Sequence, residues 1–345
     1  MPRVLYAIQG CGNGHLTRAL DIIPLLQARV EQLDVLISGP ASDMPFPYPV
    51  RYRCQGLSYV MNRRGGLSFT KTFWQLRLPT LVREIRQVPV GSYDLVISDY
   101  EPVTAWACRL RGLPCVSLSH QSGVLSRRAP RPAEDDRLGR TVLQHYAPAT
   151  EHYGFHFQRY EPNVFTPVIR QQVRALRPTN EGHYTVYLPA FDEDTLVHSL
   201  QRLNPTVRWE VFSKFSRRAV TRGKVRVLPV SADAFLDSMA RSAGVLCGAG
   251  FETPAEALFL GKKVCVIPMK DQYEQACNAA AIAQLAVPVA HSLTGADAVL
   301  LRHWLDHGRP VAVEYPDETA AIIDRVLQEQ TRLVTAPTLL HRVAA

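Results

Sequence analysis

The chain has 345 residues, of which 46% are hydrophobic and 20% are charged, and its net charge at neutral pH is +8. This composition excludes a disordered chain and predicts a globular protein of about two domains. The first residues, MPRVLYAIQG, carry no signal-peptide pattern, and the seven cysteines include no C-x-x-C pair. We therefore expect a cytoplasmic protein with reduced thiols. There is no nucleic-acid-binding motif, so nucleic acid is not an expected partner.

Short β-rich segments alternate with helical patterns along the chain. The first series predicts strands at 4–9, 34–38, 50–54, 94–98 and 114–119, with helices near 15–29, 70–87 and 101–111. A second series predicts strands at 183–191, 207–213, 224–230, 244–248 and 263–268. This alternation predicts α/β structure with two Rossmann-like domains. We expect a first domain over 1–165, a proline-rich linker over 166–182, a second domain over 183–330, and a tail over 331–345 that packs back on the first.

The loop QGCGNGHLTRAL, residues 9–20, follows the first predicted strand. Ligands of parallel sheets bind at the carboxyl ends of the strands, and the glycines of this loop let the backbone turn tightly. The loop is not a dinucleotide fingerprint, because His15 stands where G-x-G-x-x-G needs its last glycine, so NAD is disfavoured. We interpret His15 as a candidate base at the start of a helix, with simple packing or capping as the alternative.

A second loop lies in CGAGFETPAEALFLG, residues 247–261. Gly248 and Gly250 form a turn after a strand, and Thr253 with Pro254 is typical of a helix N-terminus. Backbone N–H groups exposed there would hold a phosphate or diphosphate, and Glu256 can accept both hydroxyls of a ribose. The alternative is an ordinary start of a helix.

The stretch ETPAEALFLGKKVCVIPMKDQYEQACNAAAIAQL resembles the donor-binding motif of GT-B glycosyltransferases, and GCGNGH is similar to their acceptor-side loop. The nearest resemblances are to bacterial peptidoglycan N-acetylglucosaminyltransferases of family 28 and to family 1 nucleotide-sugar enzymes of plants and of macrolide synthesis. The resemblance implies two domains with parallel sheets facing a central cleft. It also implies a hexosyltransferase of cell-envelope or glycoconjugate biosynthesis that moves a sugar from a nucleotide-diphosphate sugar, with a UDP-sugar favoured, to a hydroxyl.

The same resemblance implies individual roles. The acceptor-side loop residues are Gly12, Asn13 and Gly14, and the diphosphate-binding residues are Gly248, Ala249 and Gly250. Glu256 binds the ribose. Either Asp271-Gln272 or Glu274-Gln275 holds the transferred sugar, together with Asn278. Asp99, after the fourth strand, orients His15 as general base, while Glu101 is the second choice and helix capping is the alternative role for Asp99. Retaining enzymes often carry a glutamate where this chain has Gly248, which favours inversion.

The string Asp192-Glu193-Asp194 offers a possible metal site, but acids in a first helical turn are ordinary caps, so no metal and no cofactor are expected. The apolar and basic stretch 68–88 could contact the inner face of a membrane that carries a lipid-linked acceptor. Pro79 interrupts the stretch, however, and an apolar helical stripe more often packs in a core. A glycan is the alternative acceptor. The rival functions are a non-hydrolysing nucleotide-sugar epimerase and a non-catalytic nucleotide-sugar-binding protein. The nucleotide base, the sugar, the acceptor and the oligomeric state stay open.

Overall fold

The protein folds around two β-sheets that follow each other along the chain, and the computed structural model describes residues 1–11, 13–40, 45–57, 78–134 and 136–335. The strands of the first sheet are β1 Arg3–Gln9, β2 Gln32–Ser38, β3 Tyr52–Cys54, β4 Leu95–Asp99, β5 Val116–Ser119, β6 Glu151–Phe155 and β7 Val164–Phe165. Those of the second are β8 His183–Tyr187, β9 Arg208–Ser213, β10 Val220–Arg222, β11 Val225–Pro229, β12 Gly244–Gly248 and β13 Lys263–Ile267. We call each sheet with its flanking helices the N-terminal half and the C-terminal half.

The helices of the described ranges connect these strands. They are α1 Asn13–Gln27, α2 Leu78–Gln87, α3 Pro102–Arg111, α4 His120–Val124, α5 Arg137–His145, α6 Gln171–Arg174, α7 Glu193–Leu203, α8 Ala232–Arg241, α9 Glu252–Phe259, α10 Tyr273–Ala283, α11 Gly295–His307 and α12 Thr319–Thr335. A short 3-10 helix spans Val90–Ser92.

Strand order places the loops of interest at the carboxyl ends of neighbouring strands inside each sheet. The first sheet has the order β3-β2-β1-β4-β5-β6-β7 and the second β10-β11-β9-β8-β12-β13. Among the described strands, only β10 and β11 pair antiparallel. The order reverses between β1 and β4 and between β8 and β12, and such switch points of parallel sheets are where ligands bind.

Alternate residues of β1 are buried on opposite faces of the first sheet. Val4, Tyr6 and Ile8 of β1 join a buried cluster with α1. Leu5 and Ala7, on the other face of the strand, join a second cluster with α2 and α3. Strands that are buried on both faces belong to sheets that helices cover on both sides.

The apolar interiors of the two halves are continuous. The cluster around α1 extends through Phe157 to Phe251 and on to Val245 of β12. The ring centroids of Phe157 and Phe251 lie 5.2 Å apart. The two halves are therefore held in contact beside the carboxyl ends of their strands.

The last helix returns to the N-terminal half. Arg29, just after α1, bonds Asp324 of α12 with its Nε 2.6 Å from Oδ1, and Arg325 donates to the carbonyl of Pro162 at 2.9 Å. Helix α12 reaches Thr335, and the remainder of the expected tail, 336–345, lies outside the described residues.

Candidate functional site

His15 and Asp99 meet at the switch point of the first sheet. Strands β1 and β4 pair with Ile8 opposite Asp99, so the chain that leaves β1 enters α1 beside that carboxylate. His15 Nδ1 lies 2.8 Å from Asp99 Oδ1, and the side chains are 12% and 0% exposed. A proton on Nδ1 that is shared with Asp99 leaves Nε2 as an acceptor, 3.5 Å from Gln121 Nε2.

Arg18 is a third member of this cluster, which the sequence analysis did not identify. Its Nε and Nη2 contact Asp99 Oδ2 at 3.1 and 2.9 Å, and Nη2 also lies 2.7 Å from Oδ1. Burial alone would raise the pKa of Asp99, but Arg18 and His15 outweigh it and hold that pKa below its ordinary value. Asp99 is therefore ionised beside His15. Arg18 follows His15 by three positions, the spacing of one helix face, and that spacing was the available signal.

Glu101 has the capping role that was the alternative for Asp99. The Glu101 carboxylate accepts from the backbone N–H groups of Val103 and Thr104, each at 2.7 Å, at the start of α3. Between the two acids, Tyr100 adopts a left-handed backbone with φ of 56°, a conformation uncommon outside glycine. This turn sends Asp99 towards His15 and Glu101 into the helix.

The donor-side loop joins β12 to α9 in the C-terminal half. Ala249 is buried and its carbonyl accepts from Asn278, whereas a Cβ added to Gly250 would meet no described atom within 4 Å. A cavity of about 160 Å³ adjoins Gly248 and is also lined by residues 188–191 after β8 and by residues 267–270 at the end of β13 and after it. Its polar lining residues are Lys270, Gln275, His291 and Ser292. The cavity therefore lies at the carboxyl ends of β8, β12 and β13.

Glu256 lies away from that open side. It is 2% exposed, and its two oxygens accept from Arg170 Nε at 2.6 Å and Arg170 Nη2 at 2.7 Å. Burial raises the pKa of Glu256, while the ion pair with Arg170 opposes this rise. Arg170 precedes α6 in the expected linker, so this pair ties the linker to the donor side. Ribose binding by Glu256 stays a prediction, and a ribose would have to share the carboxylate with Arg170.

The two candidate acid–glutamine pairs have different surroundings. Gln272 caps α10 by accepting from the backbone N–H of Gln275, and Asp271 occupies a turn with φ of 58°. Glu274 reaches the N-terminal half, where its Oε2 accepts from Gln121 Nε2 at 3.2 Å. The same Gln121 nitrogen lies 3.5 Å from His15 Nε2. Only the Gln121 side chain thus separates Glu274 from His15, and Gln275 lies in the cavity lining.

Asn278 is inside the contact between the two halves. It is 0% exposed, and its Oδ1 lies 2.8 Å from His120 Nε2 while its Nδ2 donates to Ala249 at 3.1 Å. The His120 ring stacks on Phe251 with centroids 3.8 Å apart, and burial lowers the pKa of His120. Asn278 therefore bridges the halves, and its contact with a donor sugar stays a prediction.

Three other expectations concern a metal site, the acceptor-side loop and membrane contact. Asp192 caps α7, accepting from the backbone N–H of Thr195 at 2.9 Å, and Asp194 pairs with Arg222. Gly12 and residues 68–77 of the expected membrane-contact stretch lie outside the described residues. In α2, which is described, Leu78 is 53% exposed and Ile85 is buried. Within the described ranges, no helix has the length and apolar character needed to cross a bilayer.

The chain matches the family model described as Glycosyl transferase family 1 over residues 2–307. No curated protein sequence matches it significantly. Among solved structures, spinosyn forosaminyltransferase SpnP is 15% identical with a TM-score of 0.57, and the alignment covers 96% of this chain and 99% of that one. The glycosyltransferase of kitacinnamycin is 13% identical with a TM-score of 0.58, covering 96% and 95%.

A plant structure is similar to the same extent. Phytolacca americana UGT2, complexed with UDP-2-fluoro-glucose and pterostilbene, is 14% identical with a TM-score of 0.56, covering 97% of this chain and 96% of that one. At such identities the structural likeness shows the fold, which is GT-B, while the family model spans most of the chain. The chain belongs to glycosyl transferase family 1 and is a glycosyltransferase of the GT-B fold.

Proposed function

We propose that this glycosyltransferase moves a sugar from a nucleoside-diphosphate sugar, with a UDP-sugar favoured, to a hydroxyl acceptor with inversion and without a metal. The observation that carries the proposal is the hydrogen bond between His15 and Asp99 at the carboxyl ends of the first sheet. Glu274 approaches this pair from the other half through Gln121. Two of the similar solved structures support a UDP-sugar, since Phytolacca americana UGT2 is complexed with UDP-2-fluoro-glucose and Arabidopsis thaliana UGT89C1 with UDP-L-rhamnose.

Removal of the acceptor proton by His15 depends on which ring nitrogen already carries a proton. Asp99 keeps a proton on His15 Nδ1, so Nε2 is free to remove the proton from an acceptor hydroxyl. The hydroxyl oxygen then attacks the anomeric carbon from the face opposite the leaving diphosphate, which inverts the configuration. As the imidazolium forms, the ionised Asp99 stabilises it.

The leaving group would be held by the donor side. No side chain caps the start of α9, and a Cβ on Gly250 just before it would meet no described atom within 4 Å. The backbone N–H groups and the positive end of the helix dipole would stabilise a diphosphate there. Glu274 and Gln275 are the pair that we assign to the sugar hydroxyls, because one points towards His15 and the other lines the adjoining cavity. Gln272 is already used as a helix cap.

The donor pocket is tested by thermal unfolding of wild type, Gly250→Ala and Gly91→Ala with UDP, GDP, dTDP and CMP, each with and without Mg²⁺. A ligand at a hundred times its Kd stabilises by about 2.7 kcal/mol. We expect one diphosphate to stabilise wild type equally with and without Mg²⁺ and to lose its effect in Gly250→Ala. Gly91 is the matched control, because a Cβ there meets only an ordinary contact with Leu113 at 3.9 Å. A diphosphate effect that Gly250→Ala retains would refute this pocket.

The role of His15 as general base is tested in a sugar-transfer assay. The donors are the diphosphate sugars of the nucleotide that stabilises the protein, and the acceptors are a panel of hydroxyl compounds. His15→Ala should lower kcat by about 10²- to 10⁴-fold, the usual contribution of a general base. Asp99→Asn should lower it as well, while His198→Ala, an exposed histidine on α7, should leave it unchanged. Sugar transfer at the wild-type rate by His15→Ala would refute the role of His15, and retention at the anomeric carbon would refute inversion.

A further inference from the structure

Arg18 connects the two halves of the protein beside His15, the proposed general base. Two of its nitrogens hold Asp99, and Nη1 reaches across to Glu252 Oε1 in the first turn of α9 at 2.5 Å. The Arg18 side chain is 2% exposed, and the Glu252 side chain is 22% exposed. A guanidinium presents its donors in a fixed plane, so one group holds both carboxylates in a defined relation.

Gly14 is shaped to admit Glu252. A Cβ on Gly14 would lie 2.5 Å from Glu252 Oε2 and 2.9 Å from its Cδ, so a side chain at this position would displace the carboxylate. The carboxylate is thereby placed at the N-terminus of α1, where the helix dipole favours a negative charge. The acceptor-side loop therefore receives an acid from the other half of the protein.

The charges of the cluster depend on this contact. Burial lowers the pKa of the Arg18 guanidinium, but the flanking acids Asp99 and Glu252 outweigh it and hold that pKa above its ordinary value. Other ionisable groups near the cluster are Tyr6 of β1, Tyr100 after β4, His120 of α4 and Glu274 of α10, and both Arg170 and Glu256 interact with Glu252. Removing the Glu252 charge leaves the surroundings of His15 more positive, whereas removing the Arg18 charge leaves them more negative.

We propose that Arg18 and Glu252 are a positioning pair for the base: Glu252 of the C-terminal half holds Arg18, and Arg18 holds Asp99 against His15. The base is then aligned when α9, whose N-terminus is assigned to the diphosphate, lies against α1. This inference rests on the proposed function, because it gives the pair its role in sugar transfer.

The test compares the pH profiles of kcat/KM for wild type, Glu252→Gln and Arg18→Met. Glu252→Gln should lower kcat by about 10- to 100-fold with KM for the donor nearly unchanged. Its acid limb should move to lower pH by about half a unit or more, because an imidazolium is disfavoured when a nearby negative charge is lost. In Arg18→Met the acid limb should move to higher pH. Limbs that stay in place, or that move in the same direction, would overturn the proposal and leave the pair a structural contact.

Further variants test the same proposal if Arg18→Met does not fold. Arg18→Lys keeps the charge without the fork, so it should lower kcat and leave the acid limb near that of wild type. Gly14→Ala should shift the limb in the direction of Glu252→Gln, because its Cβ displaces a flexible carboxylate. Asp194→Asn, which removes the exposed partner of Arg222, is the control and should change neither kcat nor the limb.

A substrate-free measurement separates this inference from the proposed function. The ring resonances of His15, assigned with His15→Gln, are titrated by NMR in wild type, Glu252→Gln and Arg18→Met. Opposite movements of the titration midpoint in the two variants support the pair even if no donor and acceptor give sugar transfer. Identical midpoints in all three proteins overturn it, whether or not sugar is transferred.

Discussion

Replacing Glu256 by Gln should destabilise the protein strongly, because it removes the ion-pair partner of the buried Arg170. The side chains of Arg170 and Glu256 are 10% and 3% exposed, so water does not screen the interaction. Removing one partner of a buried pair of this kind costs about 3–5 kcal/mol. For a domain of 150–250 residues this corresponds to a fall in Tm of at least about 6 °C.

The assay is thermal unfolding of wild type, Glu256→Gln and the control Asp194→Asn. The control removes one partner of an exposed pair, whose side chains are 48% and 84% exposed, and should cost less than about 1 kcal/mol. The reasoning fails if the two variants have the same Tm. In the same variant UDP should bind more weakly while inorganic pyrophosphate, which has no ribose, binds as in wild type. Equal losses for both ligands would contradict ribose binding by Glu256.

Three smaller changes test other contacts. Asn278→Ala leaves His120 Nε2 without its partner in a buried site, so urea unfolding should show a loss of about 1–3 kcal/mol. Asp192→Ala removes the cap of α7 and should cost about 1 kcal/mol; a response to Mn²⁺ in wild type that this variant lacks would instead support a metal role. Because the pKa of Asp99 is lower in the folded protein than its unfolded value of about 3.9, its contribution is complete above that pH. The stability difference between wild type and Asp99→Asn should therefore shrink as the pH falls below about 4, and a difference that grows on acidification would contradict this ionisation.

Sequence patterns predicted every described strand except β6, β7 and β10, which depend on long-range pairing. β6 begins with the polar residues Glu151 and His152, and β7 has only two residues, so neither carries a distinct apolar pattern. Each is a strand because its neighbour in the sheet supplies hydrogen bonds, as where Gly154 pairs with Val164. The three-residue β10 is defined in the same way by β11.

At the site, the rule that ligands bind at the carboxyl ends of parallel strands was enough to bring His15 and Asp99 to one place. The partner of Glu256 was not predictable, because Arg170 is 86 residues away in the chain and its side chain would ordinarily be assigned to the surface. Arg18 was missed for the same reason. Burial of an arginine depends on acids from other elements, here Asp99 and Glu252, and one-dimensional periodicity does not contain that information.

The return of α12 to α1 makes the C-terminal half an insertion in the topology of the chain. Its two connections run side by side, where Arg174 Nη2 donates to the carbonyl of Tyr315 at 2.9 Å. All described strands of the first sheet come from residues 3–165, so none is contributed by the inserted half. Under the proposed function, exchanging the inserted half for that of a relative between these neighbouring connections should change the nucleotide sugar that is bound, while the first sheet stays intact. Such a chimaera must preserve the apolar contact through Phe157 and Phe251 and the partner of Arg18 on α9.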